Sequence, residues 1–166
     1  MTVVKLKPYI DASMSDDELY ELVLRAKQEG TLKTIYYGKK TINITNMIHR
    51  IKYDSSCIFM AGYVDGKVAG FGLLDQIRYN TAHAHMCLFK EFWGKSVEIM
   101  TEATEQLLTN RFSTLIFIFP KKLGLVNNLM KQIDGVKYQC RIPKYVCNEL
   151  TGAYEDALMY TISTED

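Results

Sequence analysis

His83 and His85 are the residues of this chain best placed by type and spacing for proton transfer. They alternate within the apolar run 81–89 and so share one face of an extended strand, and imidazole changes charge near neutral pH, as a general base must. On a strand face such a pair is equally at home in solvent or hydrogen-bonded to neighbours. Just beyond, the run breaks at Trp93-Gly94-Lys95-Ser96 and an amphipathic helix begins, with Val97, Met100, Thr104, Leu107 and Leu108 at helical spacing. A helix that opens on a glycine turn can hold a phosphate, because its first N–H groups and its macrodipole favour an anion and glycine lacks the Cβ that would block approach. Lys95 adds a charge-assisted contact. The bland alternative is that Phe92 and Trp93 cap a core while Gly94 merely permits the turn. Glu98 and Glu102 on that helix, and His49 among Met47, Ile48 and Ile51, read as surface residues.

Composition narrows the partners. In 166 residues, 48% are hydrophobic and three are proline, which suits one domain spanning residues 1–166 with a core that needs no metal or disulfide. A net charge of +1 without a basic run disfavours nucleic acid. No apolar run approaches the ~20 residues a membrane helix needs, and residues 1–10 lack the apolar core of a signal peptide; a cytoplasmic protein with no membrane partner is expected. Cys57, Cys87, Cys140 and Cys147 form no C-x-x-C pair, and three lie in strand-like apolar runs, so reduced structural cysteines and no metal site are expected.

The elements that must position these residues are legible. Residues 3–10 read as a strand ending in the Asp11-Ala12-Ser13 turn. Ser15 and Glu18 form a capping box for a helix with Leu19, Leu22, Val23 and Ala26 inward, closed by Gly30. Ile44, Met47, Ile48 and Ile51 mark a shorter second helix after the polar start 41–43. CIFMAGYV, Asp65-Gly66 and KVAGFGLLDQI form a hairpin, whose Gly62, Gly70 and Gly72 suggest a bulge or close backbone approach. Residues 114–119 suit a central strand covered on both faces and stopped by Pro120. Residues 123–133 suit a short helix with Leu125, Leu129 and Ile133 on one side, closing at Asp134-Gly135. Residues 136–142 and 157–163 read as strands around a polar loop. The order β-α-α-β-β-β-α-β-α-β-β predicts an α/β fold: a mixed, largely antiparallel sheet of six to seven strands with helices on both faces.

This order resembles the GNAT acyl-CoA N-acyltransferase superfamily over nearly the whole chain. YVDGKVAGFGLL is similar to its second and third strands, FWGKSVEIMTEA to its coenzyme A pyrophosphate loop, and TGAYEDALMYTI to its closing strand. The resemblance implies acetyl-CoA with pantetheine along Met86, Cys87 and Leu88, diphosphate at Trp93, Gly94, Lys95 and Ser96, and an amine acceptor. His85 or His83 would be the base. Two positions depart from the family pattern. Glu91 stands where Arg or Gln is usual, which sets a negative charge beside the diphosphate, and Ser96 replaces the second small residue. The tyrosine that protonates the departing thiolate is Lys131 here, which leaves Tyr138 as the candidate phenol, and Gly124 stands where the late helix usually begins with asparagine.

Within the superfamily, AHAHMCLF, the Phe-Trp-Gly turn and IFIFP are similar to a tailed-bacteriophage branch that includes head-assembly proteins of short-tailed phages. That resemblance implies the alternative of a virion-maturation protein, located in host cytoplasm or virion, whose partners are virion or assembly proteins and whose fold is used without catalysis.

Overall fold

A computed structural model describes residues 4–8 and 14–164. The elements are β1 (Val4–Pro8), α1 (Asp16–Glu29), α2 (Ile44–Tyr53), β2 (Ile58–Val64), β3 (Lys67–Arg78), β4 (Thr81–Leu88), α3 (Ser96–Asn110), β5 (Thr114–Pro120), α4 (Gly124–Met130), β6 (Lys137–Asn148) and β7 (Ala153–Ser163). This is the order expected from the sequence. Two 3-10 helices, Thr31–Thr34 and Lys90–Lys95, were not signalled by periodicity. The expected Asp11-Ala12-Ser13 turn and the outer residues of the first strand lie outside the described residues.

The strands form one seven-stranded sheet in the order β1-β2-β3-β4-β5-β7-β6. Every pairing is antiparallel except β4 with β5. Leu19, Leu22, Val23 and Ala26 of α1, with Met47 and Ile51 of α2, pack on Phe59, Phe71, Leu73 and Cys87 of one sheet face. Met100 and Leu107 of α3 and Met130 of α4 pack on Met60, Leu74, Leu115, Phe117 and Tyr160 of the other. Apolar burial on both faces is the main stabilising term.

Local signals set the ends of these elements. The Ser15 Oγ accepts the Glu18 N–H at 3.2 Å while Glu18 accepts the Ser15 N–H at 2.7 Å, and Gly30 stops α1 in the left-handed region. Asp65 and Gly66, with φ of 50° and 80°, make the tight turn that joins β2 to β3. Gly70 is required by close approach, since a Cβ there would lie 2.1 Å from the Cys87 carbonyl oxygen, and the expected bulge falls at Gly62/Tyr63.

Four expectations are corrected. β5 is fully buried on only one face, through Leu115, Phe117 and Phe119, whereas Ile116 and Ile118 are half-buried because α1 and α2 do not extend over them. α3 is rotated from the expected face: Ile99 and Ala103 are buried with Met100, Thr104 and Leu107, while Val97 and Leu108 are half-buried. Leu125 is 79% exposed, and α4 turns Asn127 and Met130 inward instead. The expected polar loop before β7 is largely strand: β6 and β7 pair out to Asn148 and Ala153, and Cys140 and Cys147 are exposed on the edge strand β6 instead of packed. An edge strand solvated along its length has no reason to alternate apolar with polar residues, so its pattern was illegible.

Candidate functional site

β4 and β5 pair at only three positions, Thr81 with Thr114, Ala82 with Leu115 and His83 with Ile116, and beyond them their facing edges part. The sheet is therefore open alongside Ala84 to Leu88. Two carbonyls of this stretch are taken by side chains from outside the sheet: Met86 accepts from the Thr34 hydroxyl at 2.6 Å and Leu88 accepts from the Trp93 indole N–H at 3.1 Å. Met86 and Leu88 are half-buried; Cys87, between them, points to the opposite face and is buried, its thiol pushed up to about 12 by burial.

On the α1–α2 side of the opening, His85 is the first side chain past the last β4–β5 pair. Its Nε2 lies 3.2 Å from Asp75 Oδ1 on β3, and Asp75 Oδ2 accepts from Arg50 of α2 at 2.7 Å. Burial raises the pKa of the Tyr36 phenol, and the Arg50 charge offsets part of that rise. Burial would also raise that of Asp75, but the hydrogen bonds from His85 and Arg50 outweigh it and bring the carboxyl down to about 2. His83 stands on the same face and is also half-buried; burial lowers its pKa, favouring the neutral ring. The structure thus brings both histidines together with a carboxylate that the sequence reading passed over. The alternation Phe71, Leu73, Asp75 was the available signal, because a charge at an inward strand position requires a partner. Nothing local to Arg50 marks it as that partner.

The segment after the first 3-10 helix roofs this face. Tyr37 donates to Glu155 Oε2 on β7 at 2.8 Å, and the Glu149 N–H donates to the Gly38 carbonyl at 2.8 Å. Glu155 also accepts from Lys122 and Asn148, both at 2.9 Å. From Thr34 on Met86 to Tyr37 on Glu155, the chain spans the opening between β4 and β7.

The Trp93-Gly94-Lys95-Ser96 segment is not an open loop. Residues Lys90–Lys95 wind as a 3-10 helix that runs into α3, with Ser96 N–H bonded to the Trp93 carbonyl. An incoming anion therefore competes with these bonds. The Lys90 N–H at its start is capped by Glu29 Oε2 at 2.7 Å. Glu91 pairs with Arg25 of α1 at 2.7 Å, and that guanidinium also bonds Glu29 and stacks 3.9 Å from the Phe89 ring centroid. Phe92 packs against the core, while Trp93 is 47% exposed. Gly94 has no positive φ, and a Cβ built there meets nothing within 4 Å. Glycine at this position is therefore not required by the chain's own fold. Lys95 is exposed and Ser96 half-buried.

Tyr138 is not brought to the histidines. It sits on β6, three strands from the β4 that carries them, on the order of 14 Å away at ordinary strand spacing, and it stacks edge-on to Tyr160, whose face of the sheet is the α3–α4 side. Asn127, not Gly124, is the organising residue of α4: its Nδ2 donates to the carbonyls of Pro120, Lys121 and Leu123, and its Oδ1 accepts from the Tyr160 hydroxyl at 3.1 Å. Lys131 is exposed at the end of α4. Among the described residues no group of three or more His, Cys, Asp or Glu could hold a metal, and no helix is long and apolar enough to cross a membrane.

No family model matches the sequence, and no curated protein matches it. Solved structures match the shape closely at low identity. A spermidine N-acetyltransferase from Vibrio cholerae in complex with CoA and spermine superposes with a TM-score of 0.74 at 11% identity, over 96% of this chain and 95% of that one. An acetyl transferase from Salmonella typhimurium that modifies the N-terminal serine of ribosomal protein L7/L12 gives 0.76 at 14% identity, over 99% and 97%. The microcin C7 self-immunity acetyltransferase MccE in complex with acetyl-CoA and AMP gives 0.69 at 17% identity, over 96% and 92%. The chain has the GNAT acetyltransferase fold.

Proposed function

We propose that the protein transfers an acetyl group from acetyl-CoA to an amine. The observation that carries this reading is the opening of the sheet beside Met86 and Leu88, which leads to a helix start where Gly94 leaves a space that its own fold does not use. The likeness in shape to proteins solved with CoA or acetyl-CoA supports it.

Bound acetyl-CoA supplies an activated acyl carbon, whose bond to sulfur breaks as a bond to the amine nitrogen forms. The backbone of Met86 and Leu88 would line the pantetheine, with Thr34 and Trp93 giving up the carbonyls they now hold. Gly94, Lys95 and Ser96 would receive the diphosphate. Arg25 eases the problem posed by Glu91: although shared with Glu29, its guanidinium sets a positive charge directly against that carboxylate. The acceptor would enter on the α1–α2 face, where His85 takes the proton that the amine nitrogen loses. The leaving thiolate gains its proton from water, because Tyr138 stands on another strand and the other face.

Calorimetric titration of the intact chain with acetyl-CoA tests the reading. Micromolar binding that is lost in Gly94→Asp is expected; absence of binding at millimolar coenzyme would sink it. The head-assembly alternative gains no specific support. Its motifs are used in packing here, since Ala82, Ala84, Phe117 and Phe119 all lie in the core beneath α3 and α4.

A further inference from the structure

We propose that Asp75 and Arg50 are positioning residues for His85: Asp75 fixes the ring tautomer that leaves Nδ1 as the proton acceptor, and Arg50 holds Asp75 in place. The inference rests on the reading of His85 as the base.

The geometry dictates the tautomer. An ionised carboxylate can only accept hydrogen bonds, and Asp75 uses its two oxygens separately, Oδ2 for Arg50 at 2.7 Å and Oδ1 for His85 Nε2 at 3.2 Å. Nε2 must therefore carry the hydrogen, and in the neutral ring the lone pair lies on Nδ1. Asp75 pairs across the ladder with His83 yet reaches diagonally to His85, whose direct partner is Leu73. The carboxylate is thus aimed at the histidine beside the opening and not at the one inside the paired stretch. Its side chain is 12% exposed, and that of His85 is 25% exposed, so the ring keeps access to the groove while its support stays dry.

A buried carboxylate left unpaired would tend to take up a proton. Arg50 prevents this and is itself paired with Asp54 at 3.6 Å; the Tyr36 phenol also feels its charge. The remaining groups around the site are His83 on the same strand, Arg78 at the end of β3 and Cys57 before β2. When His85 Nδ1 accepts the proton from the amine nitrogen, the imidazolium forms against a fixed anion; Asp75 itself stays ionised, and the proton leaves Nδ1 for water.

Nitrogen-15 NMR of the histidines in the intact chain, without coenzyme, reads the tautomer directly. His85 is expected as the Nε2–H form at high pH. In Asp75→Leu, which removes the accepting oxygens, the single tautomer is expected to give way to a mixture of both forms, and kcat to fall with the KM for acetyl-CoA unchanged. An Nδ1–H tautomer in the unmodified chain overturns the proposal without any variant, and so does a tautomer left unchanged in Asp75→Leu. If that variant does not fold, Arg50→Gln, which releases the carboxylate, is expected to give the same mixture, and an unchanged tautomer there is equally fatal. Failure of acetyl-CoA to bind would remove the transferase reading but leave the tautomer result standing, so the two failures are distinguishable.

Discussion

Arg25 on α1 and Glu91 on the second 3-10 helix are joined at 2.7 Å, 66 residues apart in sequence, so the carboxylate that looked hostile to a diphosphate is already matched by a cation. The pair is substantially exposed, and exposed pairs contribute roughly 0.2–1 kcal/mol. Arg25→Ala is therefore expected to cost less than about 1 kcal/mol in urea unfolding but to weaken acetyl-CoA binding several-fold by uncovering Glu91. Glu91→Gln should tighten it. Unchanged affinity in both variants would show that the diphosphate does not sit at this turn.

Trp93 is the single tryptophan of the chain, and its indole N–H is held by the Leu88 carbonyl beside the opening. Occupation of the gap by pantetheine should release it. Titration with acetyl-CoA is expected to change the emission of this one residue saturably, with the midpoint found by calorimetry. Binding that left the fluorescence untouched would place the coenzyme elsewhere.

Gly70 and Gly94 should respond in opposite ways to alanine. At Gly70 the new Cβ would lie 2.1 Å from a backbone oxygen, so a rigid strand must shift and stability should fall by several kcal/mol, as other overpacked sites do on the order of 1–3 or more. At Gly94 nothing lies within 4 Å, so Gly94→Ala should leave the melting temperature unchanged and weaken only coenzyme binding. A thermal melt and a titration on each variant decide the matter.

The Asp75 carboxyl, held at about 2 against an ordinary 3.8, makes stability pH-dependent. Because the folded value is the depressed one, its contribution is complete above the unfolded pKa and is lost as pH falls from about 4 toward 2; the size is up to roughly 2 kcal/mol. Urea unfolding at pH 6 and pH 3 should show a smaller acid penalty in Asp75→Asn than in the unmodified chain. Equal penalties would mean that the paired geometry does not persist in solution.

Asn127 and Tyr160 are joined in the core at 3.1 Å, and Asn127 also ties three carbonyls at the turn into α4. Removing either partner leaves a buried polar group unsatisfied, which costs about 1–3 kcal/mol. Asn127→Ala should therefore destabilise more than Tyr160→Phe, and the double variant should cost less than the sum. Strict additivity in urea unfolding would count against the bond.

The sequence by itself determined whatever neighbouring residues decide: the Ser15–Glu18 capping box, the Gly30 stop, the Asp65-Gly66 turn, the order of all eleven main elements and the shared face of His83 and His85. Each of these follows from propensity, capping or periodicity within a few residues. Where neighbours supplied no constraint, the reading failed. β6 is solvated along its edge and shows no alternation, and α4 is too short for its period to tell the Leu125 face from the Asn127 face. The site was half legible for the same reason. His85 could be found from its strand, and Asp75 was missed although a charge in an inward strand position was a signal for it, while Arg50, Arg25 and Thr34 reach their partners across 25, 66 and 52 residues. Only the packing of α1, α2 and the first 3-10 helix onto β3 and β4 brings those groups within hydrogen-bond range, and burial there sets which charges persist. Tertiary structure alone therefore decided that Glu91 has a cation against it and that His85 has a carboxylate behind it.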